Sequence, residues 1–205
     1  MSVQVLIACE ASQVLCTAFR KKGLEAYSCD IEPCYGGHPE WHIMEDARQV
    51  IQGCGIYSLQ NGSCVAVPGR WSLIIAHPPC TMLAHVSAVA LANGSHTKMD
   101  VLQAANFFLA MLSAPCPMIA VENPAPMRIA QLPPYDQIIN PYDFGHKFSK
   151  RWCLWLRGLP PLLPTRARIL NHVSYHDHCA SNSRRRSHSF SGVAEAMAEQ
   201  WGGLL

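Results

Sequence analysis

The sequence lacks the features that mark membrane, secreted and disordered proteins. None of its apolar runs approaches the ~18 residues that a membrane-spanning helix requires, and its first residues have neither the basic stretch nor the cleavage site of a signal peptide. Charged residues make up only 15% of the 205 residues and hydrophobic residues 49%, which predicts a folded core. We therefore expect a cytoplasmic protein without membrane contact, folded as a single domain over residues 1–205.

Paired cysteines and a strong net charge are also absent. The ten cysteines include no C-x-x-C pair, so we expect reduced thiols and not a disulfide scaffold. The formal net charge of +2 is too small to indicate nucleic acid by itself. A basic and polar loop segment is predicted over 165–188, where Arg184-Arg185-Arg186 is either solvated or a phosphate contact. His172, His176, His178 and Cys179 have no matching second half of a metal site, so no metal is expected.

The first thirty or so residues have the layout of a nucleotide-binding half-unit. A short apolar run over 3–8 predicts a buried strand, Ser12 is a candidate N-cap, and apolar residues at helical spacing lead to Gly23. A second strand over 24–29 ends at Asp30. The usual glycines are missing from the first turn. Asp30 is either a ribose-binding acid, which the strand-turn-helix layout favours, or a solvated loop acid.

Strands and helices continue to alternate, which predicts an α/β fold. Further strands are expected at 73–76, 118–121, 137–139 and 152–156, and helices at 100–112 and 192–201. In the first of these helices, a shared apolar face is predicted for Val101, Leu102, Ala105, Phe108, Leu109 and Leu112. The segment 52–70 is either an irregular insertion or a weak hairpin.

Two of the buried strands end in chemically capable residues. The apolar run Leu73–Ala76 stops at Pro78-Pro79, which cannot continue a central strand, and Cys80 follows at once. The next strand is followed by Glu122. Ligands bind at the carboxyl edge of open α/β sheets, so both side chains are expected there. A strand-end cysteine is more often structural, but Pro78-Pro79 before it and Glu122-Asn123 further along the chain favour a catalytic Cys80.

A thiol and a carboxyl group suit the activation of a pyrimidine ring. The thiolate is the nucleophile, from an unperturbed pKa of ~8.5. A neighbouring carboxylate does not help a thiol ionise, so Glu122 is expected to act on the substrate. Addition of the Cys80 thiolate at C6, with protonation of the ring nitrogen by Glu122, makes C5 able to attack a methyl donor.

These motifs resemble those of a known family. Pro78-Pro79-Cys80 and Glu122-Asn123 are similar to the Pro-Cys and Glu-Asn motifs of the cytosine C5 DNA methyltransferases. The closer resemblance is to small phage and prophage cytosine-methyltransferase-like proteins, which share five short patterns along nearly the whole chain. Ala-Cys-Glu, Ser-Cys-Asp, Ala-His-Pro-Pro-Cys-Thr, Val-Glu-Asn-Pro and Cys-Leu-Trp-Leu begin here at Ala8, Ser28, Ala76, Val121 and Cys153.

The resemblance implies a Rossmann-like class I methyltransferase sheet with helices on both faces, and S-adenosylmethionine as cofactor. It implies methyl transfer to C5 of cytosine in DNA, with Asp30 on the cofactor ribose and Asp46 on the adenine amino group. The cofactor-binding residues it implies are Ala8, Glu10, Ser12, Asp30, Ile31, Asp46 and Pro78. The implied catalytic residues are Cys80, Glu122 and Lys150, the last lying in a strand that supports the pyrimidine.

The chain also departs from that family. Glu10-Ala11-Ser12 replaces the glycine-rich cofactor loop, Thr81 replaces the usual glutamine, and Pro124 the usual valine. Too few residues separate the Cys-Leu-Trp-Leu strand from the last helix for a large target-recognition domain. The substrate is therefore DNA read with little sequence preference or a free deoxycytidine nucleotide, and a non-catalytic nucleotide- or DNA-binding module is the other alternative. With duplex DNA, the loop 82–98 is expected to close on a flipped cytosine.

Overall fold

The computed structural model of the protein describes residues 3–166, 172–175 and 189–205. Its strands, in chain order, are β1 Gln4–Ala8, β2 Glu25–Cys29, β3 His42–Ile43, β4 Gly55–Ser58, β5 Cys64–Val67, β6 Leu73–Ala76, β7 Met118–Asn123, β8 Gln137–Ile139, β9 Phe148–Ser149, β10 Trp152–Arg157 and β11 Val173–Ser174. Its α-helices are α1 Val14–Lys21, α2 Ala47–Val50, α3 Ala88–Ala92, α4 Lys98–Leu112 and α5 Ser191–Gln200.

Seven strands form one sheet in the order β3-β2-β1-β6-β7-β10-β8. The first five pair in parallel, and β10 runs antiparallel to both of its neighbours. The chain starts at β1 in the middle, builds outward to β3, and then returns to β6 on the other side of β1. This order is Rossmann-like, and the reversal beside β1 is where such sheets bind ligands.

Helices cover both faces of the sheet, as predicted. Alternate residues of each strand belong to different core clusters, because successive side chains point to opposite faces. Val5 and Ile7 of β1 pack in a cluster with α1 and α5, whereas Leu6 and Ala8 pack in one with α2 and α4. The Rossmann-like α/β fold expected from the sequence is confirmed.

Local predictions differ from the structure at several points. Segment 52–70 contains the antiparallel hairpin β4–β5, and the two-residue strand β3 was not expected. In α4 the buried residues are Val101, Ala105, Phe108 and Met111. Leu102 and Leu109 were wrongly assigned to the apolar face, because they are 53% and 38% exposed. The i, i+4, i+7, i+10 spacing gives a narrower stripe than the sequence suggested.

The Ser12 N-cap prediction was also wrong. Helix α1 begins after Gln13, whose backbone is left-handed, and no side chain of the N-cap residue makes a capping bond. The amides of Leu15 and Cys16 instead donate to the carboxylate of Glu10. Ser12 donates its hydroxyl to that same carboxylate at 3.2 Å, and its oxygen lies 3.5 Å from the amide of Val14. The main capping group is therefore Glu10, earlier in the turn than Ser12.

The described residues also bear on three general expectations. Thiols outside any disulfide are found at Cys9, Cys16, Cys29, Cys34, Cys54, Cys64, Cys116 and Cys153. No helix in the described ranges has the length and apolar character to cross a membrane, and no three His, Cys, Asp or Glu side chains there are grouped to hold a metal. Cys179, His176, His178 and the arginine run 184–186 lie outside the described residues.

Candidate active site

The carboxyl ends of the central parallel strands are aligned, which brings the residues after them together. Ala8 of β1 pairs with Cys29 of β2 and with Ala76 of β6, and Ala76 pairs with Val121 of β7. The residues that follow these strands therefore share one edge of the sheet. Every residue predicted from the sequence to act on cofactor or substrate lies along this edge or in the loops that leave it.

Cys80 lies in a loop whose backbone is fixed from several directions. Pro78 is buried, and its carbonyl accepts a hydrogen bond from Nδ2 of Asn123, which is 1% exposed, at 2.8 Å. The carbonyl of Cys80 accepts the N–H groups of Leu83 at 3.0 Å and Ala84 at 2.9 Å. The result is an exposed Cys80 side chain on a well-held turn.

Glu122 is the next-to-last residue of β7 and lies beside a histidine. Its carboxyl oxygen Oε2 is 3.2 Å from Nδ1 of His77, and each side chain is 12% exposed. Sequence reasoning placed Glu122 at this edge but missed His77. The signal was present only in the register, because Ala76 opposite Val121 puts the next residues, His77 and Glu122, side by side.

Lys150 lies at the same edge, on the strand that runs the other way. Because Cys153 of β10 pairs with Asn123, residues before β10 lie beyond the end of β7. The Lys150 ammonium is 5.1 Å from the ring centre of Trp152, 5.6 Å from Tyr175 and 6.0 Å from Phe190, within cation–π range. Its assignment to catalysis stays a prediction.

Glu10 builds the turn after β1. Its buried carboxylate accepts the amide N–H groups of Leu15 at 2.8 Å and Cys16 at 3.2 Å, and so caps α1. Burial raises its pKa, while the charge of His77 and these hydrogen bonds lower it. Cys9 and Gln13 adopt φ of 60° and 59°, the left-handed conformation that glycines usually supply. The loop thus forms the expected turn without the glycine signature.

The acids predicted to hold a nucleoside follow β2 and β3. Asp30 Oδ1 accepts the N–H of Glu32 at 3.0 Å. Asp46 caps α2, and the hydrogen-bonded Arg48 guanidinium holds the pKa of its carboxyl below the usual range. Burial and then the charges of Asp30 and Asp46 raise the pKa of the Cys9 thiol to about 12. Both carboxylates therefore lie near this thiol.

These residues fit a nucleoside-containing cofactor in part. Asp30 uses one oxygen for the backbone, and the other is suited to accept from a ribose hydroxyl. Ile31, 73% exposed beside it, offers an apolar side chain to a base. Asp46 is less suited, because both of its oxygens are bonded by Arg48. Ala8 and Pro78 are buried and Ser12 donates to Glu10, so these three residues shape the crevice.

The loop after Cys80 is anchored at its start and exposed further along. Leu83 is buried and accepts the N–H of Met127 at 2.7 Å, and Ala84 bridges to Pro126. Helix α3 buries no residue, and Val89 is exposed. This part of 82–98 reaches solvent, which the predicted closure on a flipped base requires. The closure itself stays a prediction.

The sheet and the site along its edge define a Rossmann-like α/β protein. No family model matches the chain, and no curated protein matches it either. Among solved structures, it is similar to an E. coli structure described as a "putative DNA modification methyltransferase encoded within prophage". The identity is 13% and the TM-score 0.47, covering 87% of this chain and 54% of the other, so this chain spans about half that protein's length. At this level the likeness carries no functional conclusion.

Proposed function

We propose that the protein transfers a methyl group from S-adenosylmethionine to C5 of cytosine in DNA. One observation carries the proposal: an exposed cysteine on a fixed turn after β6 lies at the same sheet edge as a largely buried glutamate at the end of the neighbouring strand β7. The resemblance of Pro78-Pro79-Cys80 and Glu122-Asn123 to the cytosine C5 methyltransferase motifs supports the same reading.

In this proposal Cys80 is the nucleophile. Its thiolate forms a bond to C6 of the ring, and the electron pair of the C5–C6 double bond is displaced toward C5 and the N3 side of the ring. The fixed turn serves this step by holding the sulfur in one place while leaving it exposed.

Glu122 protonates or hydrogen-bonds N3, so that the negative charge does not accumulate on the ring. Its low exposure strengthens this interaction, because charges and dipoles act more strongly away from water. C5 then has the electron density to accept a methyl group. After the C5 proton is lost to a base, the Cys80 thiolate leaves C6 and the N3 proton returns.

S-adenosylmethionine, when bound, supplies an electrophilic methyl group. Asp30 would accept from the cofactor ribose, and Ile31 would cover its base. The turn capped by Glu10 would shape the wall beside the methionine part of the cofactor. Lys150 would approach the substrate from the start of β10, and loop 82–98 would close over it.

The experiment is methyl transfer with labelled S-adenosylmethionine, offered duplex DNA, single-stranded DNA or deoxycytidine nucleotides in parallel. We expect label at C5 of cytosine in DNA and a loss of roughly 10³-fold or more in Cys80→Ser, because a hydroxyl is a far weaker nucleophile. Cys64→Ser, which changes an exposed cysteine of the β4–β5 hairpin, is the matched control and should keep full activity.

The other outcomes separate the alternatives. Label only in the mononucleotide would replace DNA by a deoxycytidine nucleotide as substrate. Cofactor and DNA binding without transfer would support the non-catalytic binding module. An absence of cofactor binding by calorimetry, or transfer that survives in Cys80→Ser, would overturn the proposal.

A further inference from the structure

We propose that His77 is a positioning residue that holds the carboxyl group of Glu122 and shares a proton with it. The inference rests on the proposed function, because it explains how Glu122 has a proton to give. It concerns a side chain that the catalytic steps above leave unused. Its support is geometric, and the geometry comes from the strand register, the face of the sheet and the burial of the two groups.

The register fixes the pair. The backbone N–H of His77 donates to the carbonyl of Ala8 at 3.0 Å, so His77 continues the parallel pairing of β6 with β1. On its other side the pairing of Ala76 with Val121 leads to Glu122. In-register neighbours of a parallel sheet are about 4.8 Å apart, which suits a direct bond between the two side chains.

Both side chains point to the same face of the sheet. Ile75 and Ala120, each two residues earlier in its strand, pack in the core cluster that α1 and α5 cover. Leu154 of β10, which pairs with Glu122, lies in the same cluster. On this face the pair lies next to the core cluster that α1 and α5 cover. The contact between Nδ1 and Oε2, at 3.2 Å, is therefore largely buried.

Charged groups reach the pair from each neighbouring element. The charge of His77 lowers the pKa of Glu10, which follows β1, so the imidazole has a second carboxyl group near it. Burial raises the pKa of the Cys153 thiol in β10, Arg151 just before that strand lowers it, and Glu122 of β7 raises it. Lys150 directs its ammonium onto aromatic rings.

The other ring nitrogen supports a role in proton sharing. Nε2 of His77 is buried and has no hydrogen-bond partner among the described residues. A purely structural histidine normally has both nitrogens bonded, because a buried polar atom without a partner destabilises the fold. Nδ1, in contrast, faces an oxygen that can be a proton acceptor or a proton donor.

The chemistry of the substrate needs such a partner. A carboxyl group in water loses its proton near pH ~4.3, so a lone glutamate holds almost none to give at neutral pH. The imidazole Nδ1 lies 3.2 Å from Oε2, within reach to pass a proton to the carboxyl group. When Glu122 gives its proton to N3, the proton on Nδ1 moves to Glu122, and both return when the Cys80 thiolate leaves.

The test compares the pH profile of kcat for the wild type with that of His77→Asn. Asparagine keeps a donor near the position of Nδ1 but cannot titrate. We expect the variant to lose roughly 100-fold at pH 8 but less than about 10-fold at pH 5, because only the shared proton is lost. The ratio of the two rates cancels the ionisation of Cys80. A loss that is constant with pH would show a structural role and overturn the inference.

A second measurement does not depend on methyl transfer. NMR of the imidazole nitrogens follows the titration of His77 in the wild type and in Glu122→Gln, with circular dichroism as the fold control. We expect the His77 midpoint to fall in Glu122→Gln, because a carboxylate partner is removed. An unchanged midpoint would overturn the pair. If the midpoint falls but no substrate is methylated, the pair holds and the proposed function fails.

Discussion

The two halves of the carboxyl edge use their acidic residues differently. After β1, β2 and β3, three acids accept backbone N–H groups: Glu10 caps α1, Asp46 caps α2, and Asp30 bonds Glu32. At the ends of β6 and β7, the Glu122 carboxyl group is bonded to a side chain, His77, and Cys80 is exposed. The first half uses these carboxylates to build loops, whereas the Glu122 carboxylate of the second half contacts another titratable side chain.

The first half shows how a Rossmann-like turn after β1 forms without a glycine-rich loop. A carboxylate that caps a helix replaces the backbone contacts of a glycine-rich turn, and left-handed Cys9 and Gln13 complete the bend. The acids of this half therefore have few atoms left for a ligand. The second half is held by Asn123, whose amide donates to the Pro78 carbonyl and so fixes the turn that carries Cys80.

The largest effect is expected where the second half is held together. Asn123→Ala removes the donor to the Pro78 carbonyl and leaves that buried oxygen unpaired. We expect the free energy of unfolding to fall by about 1–3 kcal/mol, and methyl transfer to fall by roughly 100-fold as Cys80 is misplaced. Urea unfolding and the transfer assay measure the two effects. Full activity in Asn123→Ala would mean that the clamp does not position the nucleophile.

A smaller effect is expected at Asp30 and Asp46, the two acids predicted to bind the cofactor nucleoside, and the loss of affinity should differ between them. Asp30→Asn keeps the acceptor for Glu32 but removes the charge, so we expect S-adenosylmethionine to bind about 10-fold more weakly. Asp46→Asn should change the affinity less, since both oxygens of Asp46 already bond Arg48. Isothermal titration calorimetry measures the affinity of both variants for S-adenosylmethionine. A larger loss of affinity in Asp46→Asn than in Asp30→Asn would contradict the contrast between the two acids.

The smallest effect is expected at Glu10, where it appears as a pH dependence of stability. Burial raises its folded pKa above the unfolded value of ~4.3, so its contribution to stability is complete below that pH and is lost as pH rises through the folded value. Glu10→Gln keeps an acceptor for the cap and does not titrate. Relative to it, the wild type should lose stability in urea unfolding as pH rises from the unfolded pKa through the raised folded pKa. If the free energies of unfolding of the wild type and Glu10→Gln changed in parallel with pH, the pKa of Glu10 would not be raised by burial.

The sheet could be predicted because its strands are short apolar runs that stop abruptly. The run before Pro78 and the run before Glu122 are enough to place Cys80 and Glu122 at the strand ends without any tertiary information. Strand β3 could not be found this way. Its first residue is the buried His42, whose ring nitrogens bond Ser28 at 2.9 Å and the carbonyl of Glu32 at 3.0 Å, and two residues give no periodicity.

The parts of the site that were missed depend on register and on caps. Nothing in the local sequence tells that His77 lies opposite Glu122, since the contact is set by how far β6 and β7 slide along each other. The Glu10 cap likewise needs the strand and the helix to meet at one angle before its carboxylate reaches Leu15 and Cys16. Such contacts are products of packing.

Covalent trapping tests the central claim most directly. A DNA oligonucleotide with 5-fluorocytosine carries a C5 fluorine that cannot leave as a cation, so the bond between Cys80 and C6 persists after methylation. Peptide mass spectrometry after incubation with S-adenosylmethionine should find the oligonucleotide on the Cys80 peptide and none in Cys80→Ser. Methylation of ordinary cytosine without any adduct on Cys80 would contradict the account.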